Sequence, residues 1–109
     1  MTRIEAALQA LPIPFRHYAW SGLPTAPYGV WGEDGESALH AEGRHAETVD
    51  SCYVDLFTRD DTGRDRDLVE AALAGAGIAW ALSGTQSEQP TGLLHYTWDA
   101  EVPREAASG

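Results

Sequence analysis

Between Cys52 and Leu82 the hydrophobic period changes from two to 3.6 and back to two, and this switch constrains the fold more than any other feature of the chain. Cys52, Val54 and Leu56 alternate with Tyr53, Asp55 and Phe57, the pattern of a strand whose two sides point to opposite faces of a sheet. Aromatics on the second side predict that this face is covered as well. From residue 65 to 76 the apolar residues Leu68, Val69, Ala72, Leu73 and Ala76 fall on one helical stripe, and Gly77 suits the left-handed residue that ends a helix. The small Ala and Gly side chains there permit close packing on a sheet. Ile78, Trp80 and Leu82 then alternate with Ala79, Ala81 and Ser83 as a further strand, which places Trp80 in the core.

The flanking sequence completes the pattern. Thr2 followed by Glu5 forms a capping box, and Ile4, Ala7, Leu8 and Leu11 share one face of a helix over about 3–10. Pro12 and Pro14 end it and impose extended backbone, so 15–20 reads as a first strand. A loop rich in glycine and proline covers 21–27, a short strand 28–31 and a turn 32–37. Residues 39–44 are neither periodic nor apolar and read as loop, with the long strand beginning at His45. A polar loop is expected over 83–91, then a strand in which Leu94, Tyr96 and Trp98 share a face. The order helix, three strands, helix, two strands predicts an α+β fold, a two-layer α/β sandwich. Its sheet is mostly antiparallel, of about four to five strands, with both helices on one face. Residues 1–100 make one domain, and 101–109 form a polar C-terminal tail whose composition cannot fold alone.

Composition narrows function by exclusion. At 109 residues there is room for one domain with a modest core. A single cysteine, Cys52, rules out an internal disulfide and a cysteine zinc cluster and fits a reducing compartment. No apolar run approaches the ~20 residues that span a bilayer, and no signal-peptide order is present, so cytoplasmic synthesis without membrane contact is expected. Seven basic residues against 17 acidic ones give a net charge of -10, which repels a polyphosphate and argues against nucleic-acid binding. All seven are arginine; guanidinium groups suit bidentate pairs at protein interfaces, although codon usage in a GC-rich genome accounts for them too.

Catalytic patterns fail on inspection. His40-Ala-Glu42 matches half of a zinc-deaminase signature, but the Pro-Cys-x-x-Cys half is missing, and His40 and His45 read as solvated loop residues. His17 and His95 fall in strands on the sides opposite the apolar sets, where surface or interface positions are expected. Setting Gly63 at the sixth position of a calcium loop puts Thr58 first, Thr62 fifth and Val69 twelfth, which removes most of the carboxylates. Asp60 or Asp61 instead lies near the start of the helix, where the dipole favours negative charge. Cys52 belongs to an apolar strand face and reads as a buried thiol. No nucleophile elbow, Walker loop or dinucleotide fingerprint occurs, so the expectation is a non-enzyme without cofactor or metal. Candidate protein-interface residues are Trp20 and Trp31, which flank the proline-rich loop and serve equally as core, together with Arg59, Asp61, Arg64 and Arg66 at the charged turn.

The run from Val54-Asp-Leu-Phe-Thr through the charged turn to Leu73, continuing into Gly75-Ala-Gly-Ile-Ala-Trp80, is preceded by Ala26-Pro-Tyr-Gly-Val-Trp31 and followed by Gly92-Leu-Leu-His-Tyr-Thr-Trp98. In this order and spacing the segments resemble the small tail-terminator and tail-completion (neck) proteins of long-tailed bacteriophages, over nearly the whole chain. The resemblance implies a subunit of a ring, a hexamer, seated on the last ring of the tail tube, where it stops tube polymerisation and presents a docking face to the neck of the head. Its partners would be copies of itself, the tail tube protein and a head-completion or neck protein, and its location the virion, after assembly in host cytoplasm. The chain departs from that pattern over 38–44 and in carrying Arg64 and Arg66 at the turn. A head-completion (stopper) protein of the neck and a small acidic host binding module of the antitoxin or immunity type are the alternatives.

Overall fold

A computed structural model describes residues 2–36 and 49–103. Along the chain lie α1 (Arg3–Gln9), β1 (Phe15–His17), β2 (Tyr28–Glu36), β3 (Val49–Thr58), α2 (Arg64–Gly75), β4 (Ala79–Glu88) and β5 (Leu93–Pro103). The five strands form one sheet in the order β1-β2-β3-β5-β4. β1 runs parallel to β2 and every other pair is antiparallel, so the expected α+β architecture with a mostly antiparallel sheet is what forms. The loop expected over 39–44, the strand start at His45, the readings of His40 and His45 and the tail beyond residue 103 lie outside the described residues. Glu101, Val102 and Pro103 belong to β5.

Local chemistry sets the ends of the elements. The Thr2 hydroxyl accepts the Glu5 N–H at 3.2 Å, the first half of a capping box, and α1 then buries Ile4 and Leu8. β1 stops after three residues, sooner than expected, because Tyr18 adopts a left-handed φ of 71° that leaves the sheet plane. β2 runs beyond Trp31, through the residues expected to turn, because a register shift between Glu33 and Gly35 absorbs an extra residue and lets pairing with β3 resume. At the entrance to α2, Thr58, itself 1% exposed, donates to Asp65 at 2.7 Å and accepts the Asp60 N–H at 3.0 Å. The Asp60 carboxylate in turn accepts the Asp65 N–H at 3.1 Å, as the helix dipole favours. At the exit Ile78 N–H reaches the Leu73 carbonyl and Gly77 N–H the Ala74 carbonyl, both at 3.0 Å, with Gly77 at φ 75°: a Schellman stop that sends the chain straight into β4.

One layer of helices covers one face of the sheet. Ile4 and Leu8 of α1 and Val69 and Leu73 of α2 pack with Cys52, Val54 and Leu56 of β3 and Tyr96, Trp98, Ala100 and Val102 of β5. Each fully buried aliphatic chain contributes about 1.5–3 kcal/mol, so this two-strand, two-helix block holds most of the driving force. Trp80 lies outside it. β4 is an edge strand with no further strand beside it, and although α2 packs near it, Trp80 stays 38% and Leu82 39% exposed, which corrects the expectation that Trp80 is core. β4 also continues to Glu88 through the segment expected to be loop, because β5 offers it a complete ladder despite its poor strand propensity.

Cys52 is 1% exposed, and burial, helped by the nearby carboxylates, pushes its thiol up to about 12. The thiolate that alkylating agents attack is therefore scarce at neutral pH. Labelling with iodoacetamide at pH 8 is expected to be at least tenfold slower in the native protein than in urea, as read by mass spectrometry. Equal rates would show that the thiol is accessible.

Candidate protein interface

The sheet face away from the helices carries a row of stacked rings. Tyr28, Phe57 and His95 occupy one cross-strand rung and stack in sequence, with ring centroids 4.9 and 4.2 Å apart, and Trp20 meets Tyr28 edge-on at 5.9 Å. Among the described residues no helix or strand lies over this face, and Tyr53 and Phe57 stay half-buried, which corrects the expectation that a second layer covers it. Beside the ladder, His95 Nε2 lies 3.1 Å from Asp55 and Nδ1 lies 3.3 Å from Glu88, while the Thr97 hydroxyl donates to Asp55 at 2.8 Å. The cluster joins β3, β5 and β4 across the open face. The imidazole Nε2 and the Thr97 hydroxyl share one oxygen of Asp55, Oδ1.

A second cluster sits at the β1 edge. His17 is sandwiched between Trp31 and Tyr18 at 4.1 Å from each, and its Nε2 meets Glu33 at 2.7 Å, where the Tyr18 hydroxyl also donates at 2.8 Å. Hydrogen bonding from His17, and then from Tyr18, holds the Glu33 carboxyl below the usual carboxylate range against an opposing effect of burial. A carboxyl depressed by folding stabilises the fold above its unfolded pKa of about 4.3, and that contribution disappears as pH falls through the lower folded value. Both side chains are partly exposed, which limits the effect to under about 1 kcal/mol. Glu33→Gln is expected to lower the urea midpoint slightly at pH 7 and to match the parent once the carboxyl is protonated in both states. A gap that persists or widens in acid would reverse the sign assigned to this carboxyl.

The residues picked out from sequence are only partly brought together. Trp31 is 4% exposed and belongs to the core, opposite Val54, so it presents no anchor on this chain. Trp20 is half-buried; its indole N–H donates to the Gly29 carbonyl at 2.8 Å, and the Arg16 guanidinium lies 5.0 Å from its ring. Arg59 is exposed and donates to the Thr91 carbonyl at 2.7 Å, tying the end of β3 to the turn between β4 and β5. Asp61 and Arg64 are exposed, whereas Arg66 is half-buried, 3.5 Å from Asp67, with Nε buried and unpaired among the described residues. Trp20 and this charged turn lie at the same end of the sheet, since Tyr28 pairs with Phe57 just before β3 ends.

β4 carries an exposed apolar pair that the sequence reading placed in the core. β4 has ten residues, one of them charged (Glu88), and lacks the lysines and prolines that usually protect a sheet edge. Trp80 and Leu82 project on its helix side; on the open side Ala79 and Ala81 face Glu101 and Asp99, and these residues line a shallow groove together with Trp80. The signal was present: residues 83–88 have no apolar face to bury, which marks an edge strand as readily as a loop. Among the described residues no cluster of three or more His, Cys, Asp or Glu is placed to hold a metal, and no helix is long and apolar enough to cross a membrane.

No protein-family model and no curated protein matches the chain. Among solved structures it is similar to a chain in the virion of a native gene transfer agent particle, at 12% identity over 93% of this chain and 84% of that one, with a TM-score of 0.40.

Proposed function

We propose that this chain is a structural virion protein of a tailed-phage-type particle, and specifically a tail terminator: a subunit of a ring that caps the head-proximal end of the tail tube, stops its growth and joins it to the neck. The observation that carries this is a coincidence of order. The segments that resemble the tail-completion proteins, 26–31, 54–73, 75–80 and 92–98, fall in turn on β2, on β3 with α2, on the exit of α2 with β4, and on β5. The resembling segments thus involve four of the five strands and α2. In this role the chain works without catalysis or cofactor, and its partners are its own copies, the tail tube protein and a head-completion protein.

The physics of the domain agrees with that role. A small sheet with a long unprotected edge gains by being completed in a closed assembly of identical subunits. Several copies, each at -10, would line a DNA passage with repulsive charge, so that DNA does not adhere. The test is a reconstruction of assembled particles with a count of copies at the head-proximal end of the tail, paired with deletion of the gene. Tails of uncontrolled length, or tails unjoined to heads, are expected. A single copy, or a location at the distal tip, would refute the terminator role, and normal tails with leaking heads would identify a stopper.

A further inference from the structure

Resting on the ring reading, we propose that the joint between neighbouring subunits is an edge-to-edge sheet contact in which residues 79–82 of β4 pair with β1 of the next copy and Arg16 enters the Asp99 side of the groove. β1 and β4 are the two edges of the sheet. Strands β2, β3, β5 and β4 alternate in direction and β1 follows β2, so β1 and β4 run oppositely. A rotation that repeats the subunit around a ring preserves strand direction and face. It therefore sets β1 antiparallel to β4, with both helical layers on the same side.

The side chains match under that operation. Phe15 and His17 register with Gly29 and Trp31 on the helix side of β1, while Arg16 registers with Val30 on the open side. On β4 the helix side offers Trp80 and Leu82, and the open side offers Ala79 and Ala81 backed by Glu101 and Asp99. The helix side of the neighbour's β1 thus comes beside the exposed apolar pair, although Phe15 and His17 themselves pack against β2. The neighbour's guanidinium, which in the single subunit lies 5.0 Å from the Trp20 ring, leaves that ring on assembly and passes over two alanine methyls to carboxylates one strand further in, a charge-complementary contact on a chain that is otherwise acidic. Lengths agree as well: the register shift between Leu82 and Gly84 interrupts the regular edge and leaves four residues before it for a partner strand of three. Such a short ladder is marginal alone, so free subunits stay separate until the tube arrays them. A hexamer joined this way would carry a band of roughly 30 strands, about 45 Å across before strand tilt widens it.

Cross-linking of the full chain in assembled particles tests the joint, because Cys52 is buried and leaves introduced thiols as the reactive ones. Particles built with the Arg16→Cys, Ala81→Cys double variant and treated with a short bis-maleimide are expected to yield a ladder extending beyond dimers, and neither single variant is expected to cross-link. Dimers from Ala81→Cys alone would mean β4 meets β4, and dimers from Arg16→Cys alone that β1 meets β1; either overturns the proposal. So does the absence of a ladder in particles whose reconstruction counts several copies in a ring, whereas a count of one refutes the ring itself. Should the double variant fail to assemble, charge exchange decides. Arg16→Glu is expected to lower incorporation about tenfold and the added Asp99→Arg to restore most of it; no rescue in a folded double variant overturns the contact.

Discussion

Replacing Trp98 by alanine is expected to leave little folded protein at physiological temperature. Its indole is fully buried at the middle of β5, between Val54 and Leu82 in the sheet register and within the cluster formed by both helices. Truncation removes the largest fully buried side chain and leaves a cavity that the flanking strands cannot close without breaking their ladders. The usual cost of a buried tryptophan-to-alanine change is about 3–5 kcal/mol, against a total stability of roughly 5–15 kcal/mol for a domain of this kind. Trp98→Phe separates the contributions. It keeps most of the volume and loses the N–H donated to Glu70 at 3.0 Å, a hydrogen bond to a carboxylate worth about 1.5–3 kcal/mol at most, since Glu70 is half-buried and can turn to water. Urea unfolding followed by circular dichroism should rank parent, Trp98→Phe and Trp98→Ala in that order. An alanine variant within about 1 kcal/mol of the parent would mean that the core does not depend on this ring.

What was legible in the sequence is what periodicity encodes. β3, α2 and β5 each bury one face against many neighbours, so their apolar residues recur at the spacing of the element, and Thr2 and Gly77 mark helix ends by local chemistry alone. The edges were not legible, for the same reason. The outer half of β4 buries neither face, so nothing in residues 83–88 needs to alternate, and only its pairing with β5 makes it a strand. Trp20 and Trp31 look alike in sequence, each beside the proline-rich loop, and differ because β3 places Val54 opposite Trp31 while Trp20 lies past the end of β1. Arg59 looked like a spare charge for a neighbour. It instead reaches Thr91 across 32 residues of sequence, a contact that no local pattern announces.

Gly29 was equally silent in sequence, and it carries the second large expected effect. Its backbone needs no glycine; its space does. A β-carbon built there would clash with the Phe15 ring, which lies flat against this point of β2 while Gly29 N–H donates to the Pro14 carbonyl at 2.9 Å. Gly29→Ala must therefore move the ring or part β1 from β2, at a cost of about 1–3 kcal/mol typical of overpacking. Phe15→Ala costs something by itself, but it vacates the clash. In that background Gly29→Ala should be close to neutral, a coupling of about 1–2 kcal/mol in a double-mutant cycle. Equal costs in both backgrounds would show that Phe15 is not the reason for the glycine. Because β1 is a three-residue edge and the buried block lies chiefly on β3 and β5, the Gly29→Ala subunit should remain folded where Trp98→Ala does not. It should nevertheless join particles poorly, since the strand it displaces is the one that the neighbouring β4 is proposed to receive.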